Sequence, residues 1–328
     1  MDEILLEINH LKSCFFTGKG VVPAVDDVSV KVPKGKIVGI VGESGCGKSM
    51  TAKSIMDLLK YPGRVVEGEI LLEGRDLTKM NKKDLKKIRG EEISMIFQEP
   101  MTSLNPVIKV GKQVREAILL HQNITKAEAK QRVLEAFRQV GISEPDKRYE
   151  CYPHELSGGL RQRVMIAMAM VCQPKLMIAD EPTTALDVTI EAQILKLMKN
   201  LCDTTGMSCL LISHNLGVIA QMCDDVYVMY AGKVVEHGDV FTIFENPRHP
   251  YTRGLLASVI PLENLPERLP TIPGMVPNLR HLPKGCAFCG RCGEVRDSCR
   301  ESRPELYDIG NGHEVRCHYA EERKAANE

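Results

Sequence analysis

This sequence has no net charge of either sign: 43 Lys and Arg stand against 43 Asp and Glu. A strongly basic nucleic-acid-binding protein is therefore disfavoured, and only a local patch could serve that role. A long hydrophobic run is also missing. The longest clean one, VMIAMAMVC at residues 164–172, is far too short to span a bilayer. No charged segment followed by an apolar one opens the chain. MDEILLEIN starts acidic, so no secretory signal is expected. No internal repeat of about 20 to 50 residues is found, which argues against solenoids and propellers. What is present is ordinary for a globular protein. Hydrophobic residues make up 43% and charged residues 26% of 328 residues, enough for a sizeable core and roughly two domains.

Short apolar runs alternate with helical patterns over the first 250 residues or so. KIVGIV (residues 36–41) reads as a buried strand, followed by a Gly-rich turn and a helix over about residues 48–60. LMIAD (176–180), CLLIS (209–213) and VYVMY (226–230) are further β-rich runs, each separated from the next by a helix-length segment. That pattern predicts a parallel sheet with crossover helices. Around residues 5–8, 28–32 and 69–72 the apolar spacing is nearer two, which predicts an antiparallel flank. Residues 110–140 are strongly helical and charged, as expected of a helical subdomain inserted in the α/β core at about residues 100–172. The character changes after Tyr251. Residues 261–283 carry six prolines and are expected to be extended, and the last residues, EERKAANE, to be frayed or helical.

GESGCGKS, residues 42–49, matches G-x-x-x-x-G-K-[ST] between a strand and a helix, the context that motif requires. Its glycines let the backbone curl so that successive N–H groups point at one anion, and the helix N-terminus adds partial positive charge. The candidate phosphate contacts are Gly42, Ser44, Gly45, Cys46, Gly47, Lys48, Ser49 and Met50. Lys48 would reach the β- and γ-phosphates, and the Ser49 hydroxyl would bind magnesium. LMIADE ends a strand in two acids: Asp180 suits magnesium, and Glu181 suits a general base that polarises water. In LSGGLRQR (156–163), Ser157 is a natural N-cap, and Gly158 and Gly159 leave the first-turn N–H groups open. By itself, S-G-G before a helix is usually only a cap.

The ordered set GESGCGKS, Gln98, LSGGLRQ, LMIADEP, TALD (184–187) and His214 resembles the ATP-binding-cassette (ABC) ATPases. The resemblance covers about residues 4–250. It implies an α/β, RecA-like P-loop NTPase core with an antiparallel β flank, an inserted helical subdomain and a small irregular C-terminal extension. It also implies a head-to-tail pair of cassettes with ATP between the phosphate loop of one and the signature loop of the other. Ser157, Gly158 and Gly159 would then contact the γ-phosphate across the interface. Gln98 would touch magnesium and the attacking water, His214 the γ-phosphate, and Asp187 would link the two sites. Phe15, with Phe16 as alternative, would stack on adenine. Leu160 departs from the Gln that many members carry in the signature.

Twelve cysteines divide unevenly. Seven are scattered through the first 223 residues, the pattern of reduced thiols in a cytoplasmic protein. Cys286, Cys289, Cys292, Cys299 and Cys317 form a cluster that points to metal binding. Spacing leaves zinc and a [4Fe–4S] cluster both open, since each takes four thiolates. HPYTRGLLASVI, a Pro-rich stretch and GCAFCGRC then resemble the C-terminal extension of oligopeptide and dipeptide permease ATP-binding subunits. That resemblance implies Cys286, Cys292, Cys299 and Cys317 as [4Fe–4S] ligands, with Cys289 a spare and zinc the alternative metal. The function it implies is the ATP-hydrolysing subunit of a peptide importer, peripheral on the cytoplasmic face of the membrane. Its domains would be residues 1–250 and 251–328. Its partners would be two transmembrane permease subunits, a second ABC ATPase subunit and, indirectly, an external peptide-binding protein. The alternatives are a soluble ABC ATPase acting on ribosomes or DNA, and a redox protein built on the cysteines. The first would carry two cassettes or long inserts, and the second a flavin or nicotinamide fingerprint. Neither feature is seen.

Overall fold

The computed structural model describes residues 3–98, 103–184, 186–258 and 271–322. In chain order the strands are β1 Ile4–Thr17, β2 Gly20–Pro33, β3 Ile37–Val41, β4 Gly63–Leu72, β5 Arg75–Asp76, β6 Ile93–Ile96, β7 Leu176–Asp180, β8 Ser208–Ser213, β9 Asp225–Tyr230, β10 Lys233–Asp239, β11 Tyr307–Asp308 and β12 Glu314–Val315. The helices used below are α1 Lys48–Ile55, α2 Val110–His121, α3 Lys126–Gln139, α4 Gly158–Met170 and α5 Val188–Thr205. Two compact units divide the chain. The first is Met1–Leu5, Pro33–Lys36 and Lys79–Ile212; the second is Leu6–Val32, Ile37–Thr78 and Ser213–Glu328.

In the first unit β6, β7 and β8 run parallel, with Ile93 opposite Leu176 and Leu176 opposite Ser208. Every residue of β7 and β8 is buried, as unbroken apolar runs require in a parallel sheet covered on both faces. The helical insertion follows its sequence period. The stripe on α2 is Val110, Val114 and Ile118, and that on α3 is Ala129, Val133, Ala136 and Phe137. α3 begins on a capping box, in which Thr125 accepts from the Glu128 N–H while the Glu128 carboxylate accepts from Thr125. Residues 100–102, the expected start of this insertion, lie outside the described residues.

In the second unit β2, β1, β4 and β5 form a four-stranded antiparallel sheet, the flank that the two-residue spacing predicts. β1 and β4 pair from Leu6 opposite Leu72 to Phe15 opposite Gly63. Beside it, β3 lies parallel to β9, β10 returns antiparallel to β9, and β12 and β11 add to β10. The tail thus contributes two short strands to the sheet that carries β3. α1 stops at Ile55, short of the expected residue 60. Asp57 takes a φ of 44°, which no right-handed helix can continue through. Residues 271–283 hold neither helix nor strand, as their prolines predict. Residues 261–270 of that stretch, and residues 323–328 of the terminal EERKAANE, fall outside the described residues.

Two internal contacts tie the residues after 250 into the second unit. Tyr230, Tyr251 and Phe288 form an aromatic cluster with centroid separations of 4.7, 5.2 and 5.5 Å. The fully buried Glu236 carboxylate accepts from the Arg248 N–H at 2.6 Å, the His249 N–H at 3.1 Å and His313 Nε2 at 2.8 Å. A buried carboxylate needs such donors to offset its lost hydration.

Candidate functional site: the phosphate loop and the acid pair

β3 delivers the chain into Gly42–Ser49, and α1 begins at Lys48 with the left-handed Gly47 as its N-cap. Gly42 and Gly47 are required by space as well as by φ. A Cβ at Gly42 would stand 2.2 Å from the Met229 carbonyl oxygen, and one at Gly47 2.5 Å from that of Ala24. The loop is pinned from below, since the Gly232 N–H donates to the Cys46 carbonyl at 2.9 Å. Lys48 is almost fully buried, and its Nζ donates to the carbonyls of Gly42 at 2.7 Å and Glu43 at 3.1 Å. Burial raises the Cys46 thiol pKa, so Cys46 sits in the loop as a neutral packing group. Ser44, Gly45, Ser49 and Met50 lie on the same turn and first helical residues, as expected. A curled backbone opening on a helix N-terminus, with a lysine already folded onto it, is a donor set that suits a phosphate chain.

The first unit holds the acid pair. Asp180 closes β7 and is 2% exposed. Glu181 follows at a φ of 48°, a left-handed conformation that costs a non-glycine residue energy and is retained where the surroundings enforce it. Its N–H donates to Ile212 at 2.9 Å, and its carboxylate accepts from Gln98 Nε2 at 2.8 Å and Thr184 Oγ1 at 3.1 Å. The structure therefore brings Gln98 and Glu181 together, although 83 residues separate them. Gln162, fully buried on α4, donates to the Pro182 carbonyl and braces the turn after the acids.

Ser157 caps α4, accepting from the Leu160 N–H at 3.4 Å, with Gly158 and Gly159 as the first helical residues. A Cβ at Gly159 would come within 3.0 Å of Ile190. Asp187 caps α5, accepting from the Ile190 N–H at 2.9 Å. Ala185, inside the TALD stretch, lies outside the described residues. In the second unit His214 is exposed just past β8. Phe15 lies half-buried against Gly63 of the antiparallel sheet, while Phe16 is exposed with the Arg64 guanidinium 4.3 Å from its ring centroid.

The expected cluster cysteines lie in the second unit. Among the described residues, no group of three or more His, Cys, Asp or Glu side chains is arranged to hold a metal ion. The expected [4Fe–4S] or zinc ligands Cys286, Cys292, Cys299 and Cys317 all lie in this tail, Cys299 and Cys317 buried and Cys286 and Cys292 half-buried. Burial pushes the Cys286 thiol up to about 11, with Cys317, Cys289 and Cys299 as electrostatic neighbours. Cys289, a spare in the expected ligand set, is among them. The Cys286 and Cys289 N–H groups donate to the Cys299 and Cys286 carbonyls, so backbone hydrogen bonds order these turns.

Sequence reasoning passed over three residues at the phosphate loop. Glu43 is an unspecified position of its motif, Tyr251 belongs to the tail, and Arg291 stands inside the cysteine-rich run. Tyr251 Oη accepts the Glu43 N–H at 2.8 Å, and the Arg291 guanidinium grips the Glu43 carboxylate. The local signal was the charged arginine within CAFCGRC, which no metal site would use as a ligand.

Known proteins resemble this chain in sequence and fold. The ABC transporter family model matches residues 25–184, and that of the oligopeptide/dipeptide transporter C-terminal region matches residues 235–299. The chain is 51% identical to the oligopeptide transport ATP-binding protein AppD of Bacillus subtilis, over 98% of both chains. It is 47% identical to the dipeptide transport ATP-binding protein DppD of Escherichia coli, over 96% of both. Among solved structures, the dimeric ABC transporter cassette MJ0796 superposes with a TM-score of 0.64 at 26% identity, covering 72% of this chain and 98% of that one. CbiO1 of Clostridium perfringens, part of the transporter complex CbiONQ, has a TM-score of 0.64 at 26% identity, covering 74% of this chain and 91% of that one. Among the described residues no helix is long and apolar enough to cross a membrane. With a cassette motif set in its core and the peptide-transporter region in its tail, the chain belongs to the ATP-binding subunits of ABC oligopeptide and dipeptide transporters.

Proposed function

We propose that this protein hydrolyses ATP to drive import of dipeptides or oligopeptides through separate transmembrane subunits. The observation that carries the reading is the joint presence, on one chain, of the phosphate loop with its acid pair and the peptide-transporter C-terminal region. Functionally, residues 1–250 act as the nucleotide-binding domain and 251–328 as the extension.

Lys48 and the N–H groups of Gly42–Ser49 hold the phosphates, with Met50 following on the helix and Phe15 against the adenine. Bound magnesium supplies charge neutralisation on the phosphates, and Ser49, Asp180 and Gln98 have the oxygen donors it prefers. Glu181 accepts the proton of the attacking water, and its hydrogen bond from Gln98 orients it for that role. His214 meets the γ-phosphate. Ser157, Gly158, Gly159 and Asp187 serve the second cassette of a homo- or heterodimer. Two permease subunits and an external peptide-binding protein complete the machine, with this chain peripheral on the cytoplasmic face. Nucleic acid has no place in it.

The iron–sulfur reading of Cys286, Cys292, Cys299 and Cys317 rests on their spacing and the family resemblance alone. About four irons per chain in anaerobically purified protein would support it, and their absence would remove it. The importer reading is tested in vesicles that carry the permease subunits and this chain. Uptake of a labelled dipeptide or tetrapeptide should require ATP and be lost with Glu181→Gln. Uptake that persists without ATP or without this chain would refute it.

A further inference from the structure

The second unit carries a contact that the ATPase reading does not use. Glu43 follows the first glycine of the phosphate loop, and each of its polar groups is engaged. Its carbonyl accepts from Lys48 Nζ and from the Cys46 N–H, its N–H donates to Tyr251 Oη, and its carboxylate takes a two-pronged arginine. Arg291 Nη1 lies 2.6 Å from Glu43 Oε2, and Nη2 lies 2.9 Å from Oε1. The arginine side chain is only 6% exposed. Its Nε donates to the Pro273 carbonyl at 2.9 Å, and its guanidinium carbon lies 5.8 and 5.9 Å from the ring centroids of Tyr230 and Phe288. A planar fork held on three sides can grip a carboxylate in one orientation, which an ammonium cannot do.

We propose that Arg291 is a positioning residue for ATP binding: through Glu43 it holds the phosphate loop in its nucleotide-receiving shape. That role requires Gly42–Ser49 to be the phosphate loop. A loop whose N–H groups must converge on one anion loses affinity if its backbone has to be ordered on binding. The clamp fixes that backbone beforehand at Glu43, next to the two carbonyls that hold Lys48. Arg291 stands between Cys289 and Cys292, so any change in those turns is felt at the ATP site through one side chain.

The test is Mg·ATP binding by the full chain, with steady-state ATPase kinetics alongside. Glu43→Gln and Arg291→Met should each weaken ATP binding about tenfold, roughly the worth of ordering one residue's backbone. The loss should fall mainly on the KM for ATP. Arg291→Lys should restore only part of it, because the charge returns without the fork. The double variant should bind no more weakly than either single one, since both remove the same contact. Glu43→Gln leaves the arginine its carbonyl partners, so it reports even if Arg291→Met folds poorly. Wild-type affinity in both single variants, or losses that multiply in the double variant, would overturn the proposal. Lys48→Ala is the control. If it alone bound ATP normally, the phosphate-loop reading would fail; if it lost ATP while the clamp variants did not, only the clamp would fail.

Discussion

Gly45 and Gly47 lie two residues apart in the same loop, both at positive φ, yet alanine should affect them very differently. At Gly45 the φ is 79°, and among the described residues beyond its two chain neighbours a Cβ would meet nothing within 4 Å. The cost of Gly45→Ala is then backbone strain alone, about 1–2 kcal/mol. At Gly47 the φ is 109°, and the Cβ would meet the Ala24 carbonyl at 2.5 Å, with the Met229 methyl at 3.4 Å. Ala24 belongs to β2, so its carbonyl yields only if the strand moves. Overpacking of that kind adds about 1–3 kcal/mol, for a total of about 2–5 kcal/mol. At about 2–4 °C per kcal/mol, Gly47→Ala should melt several degrees below Gly45→Ala. Thermal unfolding of both variants without nucleotide isolates this effect from ATP affinity. Indistinguishable melting temperatures would refute the steric argument and show that β2 relaxes freely.

Glu181→Gln should keep ATP binding and slow hydrolysis by about 10²- to 10⁴-fold, the usual worth of a general base; single-turnover kinetics at the wild-type rate would exclude that role. His313→Leu should destabilise the second unit by about 3 kcal/mol, because it removes a donor from the buried Glu236 carboxylate; chemical denaturation with an unchanged midpoint would contradict this. The hydrogen bond from His237 holds the Glu314 carboxyl below the usual carboxylate range. A depressed pKa contributes stability above the ordinary value of about 4.3 that is lost as pH falls through the folded value. Glu314→Gln should therefore flatten the acid side of the plot of melting temperature against pH, and an unaltered acid slope would reject the assignment.

Short-range physics governs what was legible in these residues. The strand–GESGCGKS–helix order is a local steric and hydrogen-bonding unit, and its residues took that shape. The two-residue spacing built the antiparallel β1–β4 pair, and the helical spacing built α2 and α3, because each pattern has one face to bury. Local reading failed at residues 56–60, where one left-handed residue ended a helix that composition would have continued. Tertiary structure decided the rest. Only packing brings Gln98 to Glu181, and Arg291 to Glu43 across 248 residues of chain. Spacing counted five thiols, and packing of the tail buries Cys289, Cys299 and Cys317. The motif writes Gly45 and Gly47 with the same letter. The Ala24 carbonyl that separates them comes from a strand more than 20 residues upstream, and its position is set by the fold.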